Sequence, residues 1–331
     1  MGKPKPVTEQ RPTVRDVVKL SGYSQGAVSR AFNGQGGISD STRDKILRIA
    51  REIGYCPNPA ARNFKRGYSA RIGIILPNLG NSNYAEFYEQ VDLVNTAGGY
   101  STTLALTHGA AVTEANTMLH WSAGEADGLI VNPVGGAANL DLYRRLKSWR
   151  YPLTFLYHPF GYEFDAVYVN YHEPLKKALM HLRDVGHQKI AYVGLSNLRG
   201  NLFGKLEVLL KLLAELNMRF DEELSVFDVA GSAAGPRAFT QWGAQGRRPG
   251  AVIAYNDQTA ISLYSDALKS GLTIPGDLSL FGSDDIAAAS AIALSTIRVD
   301  RAAMARITTE ILQNRIRDFD SPIQVHQMPS E

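Results

Sequence analysis

From residue 71 onward, short apolar runs recur between longer stretches of helical period, and this alternation restricts the fold more than any other feature of the chain. The runs fall at residues 72–76, 101–106, 128–131 and 153–156, and resume at 167–169, 189–193, around 226, and at 251–254 and 279–281. Apolar runs of that length suit strands covered on both faces, and strands alternating with amphipathic helices predict parallel sheets. The pattern restarts after residues 167–169, with a helix over 173–185, so two similar lobes are expected. The segment from Ser295, with a helix starting near Asp300 and a last apolar stretch at 323–325, is expected to cross back to the first lobe. The predicted class for residues 70–331 is therefore α/β, two doubly wound parallel-sheet lobes. Lobe 1 spans about 70–166 and 296–331, and lobe 2 about 167–295.

The first 57 residues read differently. Thr13 with Asp16 three residues on forms a capping-box-like start, and Val14, Val17 and Val18 put one apolar stripe on a short helix that stops at Gly22. Ser24 can cap a second helix, which buries Ala27, Val28 and Ala31 or Phe32 and turns Gln25, Gly26, Ser29 and Arg30 outward. A third starts in the cluster from Ser39 to Thr42, carries Ile46, Ile49, Ala50 and Ile53, and closes at Gly54. An all-α helix-turn-helix headpiece is predicted, with residues 58–69 as hinge and linker.

Charge separates this headpiece from an ordinary three-helix bundle. Residues 1–70 hold 13 Lys or Arg against 5 Asp or Glu, whereas the rest holds 22 against 27, a split of +8 and −5. The basic end calls for a polyanion. Arg15, Lys19, Arg30, Arg43, Lys45, Arg48 and Arg51 are phosphate-contact candidates, and Gln25, Ser29 and Arg30 suit base edges in a major groove. Residues 22–26 also match the G-x-S-x-G pattern of serine hydrolases. That motif needs a buried strand before its Ser, and residues 14–20 have helical period instead.

The run TVRDVVKLSGYSQGAVSRAFNG, followed by ISDSTRDKILRIAREIGYCPNPAAR, resembles the headpiece and hinge of the lactose-repressor (LacI) family of bacterial transcription regulators from Thr13 to Arg62. The resemblance implies DNA contacts at Val14, Ser24, Gln25, Gly26, Ala27, Ser29, Arg30, Asn33, Ser39, Thr42, Tyr55, Asn58 and Ala61. It also implies a hinge helix whose minor-groove wedge, a Leu in the family, is Phe64 here; bulky apolar side chains can kink a base step in this way. Pro59 suits the first position of such a helix, after Asn58 as cap. Residues 72–77, 126–130, 181–194, 254–258, 279–285 and 294–297 resemble the family's effector domain, which has a periplasmic-binding-protein-like fold.

Ligands of such folds sit between lobes at the carboxyl ends of strands. The resemblance points to Asn83, Tyr84, Asn132, Asn201 and Asp257 as effector-facing positions. Two departures stand out. Asn201 occupies the place of the family's effector-clamping Arg, and Val299 replaces a polar residue. These predict a more neutral pocket, or a substitute from Arg199. The implied function is a homodimeric repressor of a pseudo-palindromic double-stranded operator, controlled by a small-molecule effector such as a carbohydrate.

Other classes find less support. The single Cys56 excludes an internal disulfide, and the polar start MGKPKPVTEQRP with no long apolar run predicts a cytoplasmic protein without membrane contact. His172, His181 and His187 lack a metal-ligand pattern, and no P-loop or dinucleotide fingerprint is present, so neither metal nor cofactor is expected. A sugar-binding protein without a regulatory role would suit residues 70–331 but not the basic headpiece. An α/β enzyme would need a convergent catalytic set that the sequence does not offer.

Overall fold

A computed structural model describes residues 12–33, 36–56, 68–135, 138–156, 163–195 and 204–331. The chain divides into two compact units, Met1–Ser69 and Ala70–Glu331. The first holds α1 (Val14–Ser21), α2 (Gln25–Asn33) and α3 (Asp40–Glu52). Its core is small: Val17, Ala27, Val28, Ala31, Ile46 and Ala50 are buried, with Phe32 and Tyr55 packed edge-on at 5.4 Å beside them.

The second unit contains two parallel sheets. β1 (Arg71–Leu76), β2 (Ser101–Leu106), β3 (Gly128–Val131), β4 (Leu153–Phe155), β5 (Asp165–Val169) and β11 (Val325–Met328) form one, in the order β11-β5-β4-β3-β1-β2. The second is built from β6 (Lys189–Gly194), β7 (Arg219–Phe220), β8 (Val226–Phe227), β9 (Ala251–Ala254) and β10 (Ser279–Phe281). Alternate residues of the central strands serve opposite cores, which is why those strands read as continuous apolar runs. Ile72, Ile74 and Leu76 of β1 pack with Phe87 and Val91 of α4 (Ser82–Ala97) and with Ala305 and Leu312 of α12 (Arg301–Arg317). Ile75, Leu129 and Val131 face the other way, onto α5 (Ala111–Ser122) and α6 (Leu140–Ser148).

The second sheet repeats the arrangement. Ile190, Tyr192 and Ile253 meet α7 (His172–Asp184) and α8 (Lys205–Glu215), while Ala191, Val193 and Val252 meet α9 (Ala234–Gln245) and α10 (Asp257–Lys269). A short α11 (Ala287–Ala291) follows β10. Gly73 lets Trp121 lie directly on the first sheet, since a Cβ there would come within 2.6 Å of the indole.

Two sequence expectations shift. β5 pairs with β4 at Asp165 and Ala166 and with β11 from Ala166 to Val169, so the first lobe runs past residue 166 before the chain leaves it. The last strand is residues 325–328 rather than 323–325; it is an edge strand with His326 and Gln327 exposed, and so carries no apolar run. Three segments lie side by side at the waist between the lobes. The first passes through Asn170, the second through residues 295–300, and the third is the carboxyl end. Asn170 N–H donates to Met328 O at 3.0 Å, and Arg298 and Glu331 exchange main-chain hydrogen bonds.

Candidate functional site

In the first unit, local capping sets where each helix begins. The Thr13 N–H donates to the Asp16 carboxylate at 2.7 Å, a bond that holds this carboxyl below its usual range. Gly22 ends α1 with a φ of 73° that a residue with a Cβ resists. Ser24 Oγ then accepts from Ala27 N–H at 3.2 Å, so Ser24 is a helix cap and not a nucleophile. This tight turn leaves Gln25, Gly26 and Ser29 exposed in one row on α2, with Asn33 donating to Ser29 at 3.3 Å. Arg30 is half-buried, and its Nε has no partner among the described residues. Ser39 Oγ caps α3 by accepting from Thr42 N–H at 3.2 Å, and Val14 and Tyr55 are half-buried against the core. Ala27 is 8 % exposed, with its side chain packed in the core. Arg15, Lys19, Lys45, Arg48 and Arg51 are exposed. Asn58, Ala61 and Phe64 lie outside the described residues.

In the second unit a cavity of about 440 Å³ opens between the lobes. Its lobe 1 wall includes Asn83, Tyr84 and Asn132, and its lobe 2 wall includes Lys205, Tyr255, Gln258 and Asp284. Burial raises the Tyr84 phenol well above its ordinary value, although Asn132 hydrogen-bonds to it. Three contacts bridge the lobes beside the cavity. Gln258 Nε2 donates to Gly80 O at 2.9 Å, Asn81 Nδ2 to Asp284 Oδ2 at 3.3 Å, and Arg301 NH2 to Asp285 O at 3.0 Å. Arg301 also pairs with Glu86 at 2.6 Å.

Asp257 corrects the sequence expectation. It is fully buried and does not line the cavity, because Thr296 Oγ1 at 2.5 Å and Ile286 N–H at 3.0 Å use its carboxylate. The carboxyl that does reach the cavity is Asp284. Burial pushes it up to about 6 from an ordinary 3.8, against the pull of the nearby Lys205 and the Asn81 hydrogen bond. Because the folded value exceeds the unfolded one, this group favours the folded state below 3.8 and loses that contribution as pH rises through 6. Relative to Asp284→Asn, the natural protein should therefore gain about 1 kcal/mol between pH 7 and pH 5. Melting curves of both proteins at several pH values check this, and parallel pH profiles would contradict it.

A model described as "Bacterial regulatory proteins, lacI family" matches residues 13–58, and one described as "Periplasmic binding protein-like domain" matches residues 179–331. Together they cover the capped helices and most of the second lobe, in the order and spacing just described. The chain belongs to the LacI family. Its relatives in that family include the ribose operon repressor of Haemophilus influenzae, 29% identical over 92% of each chain. The transcriptional repressor PurR of Photobacterium profundum is 25% identical over 96% of each. The crystal structure of the Lac repressor dimer bound to operator and the anti-inducer ONPF superimposes with a TM-score of 0.83 at 20% identity, over 97% of this chain and 98% of that one. This LacI-family chain is accordingly a DNA-binding transcription regulator.

The cavity carries charged side chains, and here sequence reasoning fell short. The expectation of a neutral pocket rested on Asn201 and Val299. Val299 does line the cavity, but so do Lys205, Asp284 and Arg301, whereas Asn201 and Arg199 lie outside the described residues. Lys205 was concealed in the amphipathic run KLEVLLKLLAEL, where a charge at helical spacing reads as solvent-facing. Among the described residues no group of His, Cys, Asp or Glu is placed to hold a metal ion, and no helix is long and apolar enough to cross a membrane.

Proposed function

We propose that the protein is a homodimeric repressor that reads a pseudo-palindromic operator with two copies of α2 and is switched by a small hydroxylated metabolite held between its lobes. The observation that carries this reading is the pairing, in one chain, of the exposed Gln25, Gly26 and Ser29 row with a cavity bridged by interlobe hydrogen bonds. Helix α2 presents its first turn and Arg30 to base edges, while Arg15, Lys19, Lys45, Arg48 and Arg51 supply phosphate contacts. Asn58, Ala61 and Phe64 complete the interface as a hinge in the minor groove. The relatives named as repressors, and the operator-bound Lac repressor dimer, support the same reading. In the cavity, Asn83, Tyr84 and Asn132 on one side and Gln258 on the other offer the amides and phenol that hydroxyl groups need. A ligand that prefers one spacing of the lobes shifts DNA affinity, and a coupling of about 1–3 kcal/mol suffices for a switch.

Selection from random duplex DNA, followed by titration at several salt concentrations, tests the proposal. A palindromic consensus with a specific affinity well above the electrostatic background is expected; purely salt-driven binding without a consensus would refute it. Arg30→Ala should lower affinity for the selected operator by about 1–3 kcal/mol and leave binding to unrelated DNA much less affected. An unchanged operator preference would remove Arg30 from base readout.

A further inference from the structure

Lys205 is the most unusual group in the cavity. It is 7 % exposed, lines the cavity, and sits in the first turn of α8. Its ammonium donates to Tyr255 O and lies 4.7 Å and 5.2 Å from the ring centroids of Tyr171 and Tyr255. No described carboxylate forms an ion pair with it, although Asp284 and Asp257 attract it from further away; burial moves its pKa down. A buried charge left without an ion-pair partner is costly, and an anion that comes to meet it offsets that cost.

The surroundings say what that is. The N-cap of α8 is Gly204, which has no side chain to satisfy the N–H groups of the first turn, and Gly204 also lines the cavity. A helix start whose N-cap offers no side-chain acceptor, set beside a buried ammonium, suits an anion. Arg301, the other cation in the wall, is already engaged by Glu86 and by the main-chain carbonyls of Asp284 and Asp285. Lys205 differs from it in having no carboxylate in contact among the described residues. Opposite it lie the amides of Asn83 and Asn132 and the aromatic faces of Tyr84 and Phe87, which suit a hydroxylated carbon frame.

We infer that the effector is anionic: a small polyhydroxy compound bearing a carboxylate or a phosphate, whose charged end sits on Lys205 and the amino end of α8. This rests on reading the cavity as the regulator's ligand site. The test uses the full-length protein and matched pairs: glucose with glucose 6-phosphate and gluconate, and ribose with ribose 5-phosphate and ribonate. Inorganic phosphate serves as the control for charge alone. Calorimetric titration should show at least one charged compound binding tenfold or more tighter than its neutral partner, and the phosphate and carboxylate arms identify which anion is preferred. Lys205→Met should reduce that preference at least tenfold, and Lys205→Arg should retain part of it. The matched pairs need only the unmodified protein, so the inference stays testable if a variant fails to fold. Tighter binding of the neutral partners, or an anion preference that survives in Lys205→Met, overturns the inference and leaves the cavity as ligand site intact. Binding by no compound of either class overturns both.

Discussion

Replacing Arg315 with Met is expected to destabilise the α/β unit by about 3–5 kcal/mol, the largest effect of any single substitution considered for this chain. Arg315 projects from α12 onto Asp165 at the start of β5. Its Nε and NH2 reach the two carboxylate oxygens at 2.8 and 2.9 Å, and both residues are nearly excluded from solvent. The same guanidinium donates to Phe319 O, Ser321 O and Pro322 O, and so folds the turn that leads into β11. Methionine fills similar volume but leaves the Asp165 carboxylate buried with only the Gln324 N–H, at 2.8 Å, to offset its charge. Chemical denaturation measures the loss, and a melting point lower by about 10 °C is the corresponding thermal result. If Asp165→Asn in the same chain restores little of it, the uncompensated charge is not the cause.

The second large effect is expected at Glu114, a fully buried carboxylate on α5 with no cation in contact among the described residues. Three groups donate to it: Val134 N–H at 2.6 Å, Asn139 Nδ2 at 2.8 Å and the Tyr143 hydroxyl. Together these bonds tie down the loop that follows β3, and that loop carries Asn132, Pro133 and Val134 of the cavity wall. Glu114→Ala takes the acceptor from Val134 N–H and one hydrogen bond each from Asn139, which keeps Ala111 O, and Tyr143, so a loss of about 2 kcal/mol is expected after partial relaxation. Ligand affinity should fall as well, because Asn132 loses its fixed position. Glu114→Gln separates the two consequences. It keeps an acceptor but places an amide N–H against donors, so it should weaken ligand binding more than Asn139→Ala does. Equal effects of the two would place the role of Glu114 in packing alone.

These residues mark the limit of what the chain reveals before it is folded. The headpiece was legible almost residue by residue, because caps, turns and a period of three to four are local, and Thr13, Gly22, Ser24 and Ser39 stand where the helices begin or end. The strands were legible for a similar reason, as runs covered on both faces; the last one was misplaced because it is an edge strand whose two middle residues, His326 and Gln327, are exposed. The cavity was not legible. Asn81, Lys205 and the pair Asp284 and Arg301 come from three distant parts of the sequence, and nothing local distinguishes the carboxylate that faces ligand space from the one that does not. Asp257 had the right address, at the end of a strand and the start of a helix. Thr296 and the Ile286 N–H, supplied by the segment that follows β10, turned its carboxylate away.

The strand order of the first sheet also bears on how the protein is made. β5 is translated well before β11, its neighbour on one side, and the whole of the second lobe is synthesised between them. At ~5–20 residues per second the ribosome needs on the order of ten seconds or more to supply the missing strand. During that interval the second lobe, which is continuous in sequence, can complete itself. The first must wait with an unpaired strand edge at Val167, a residue that ends fully buried. Nascent chains released early should therefore stick to one another through this edge, and β11 acts as its protective cover.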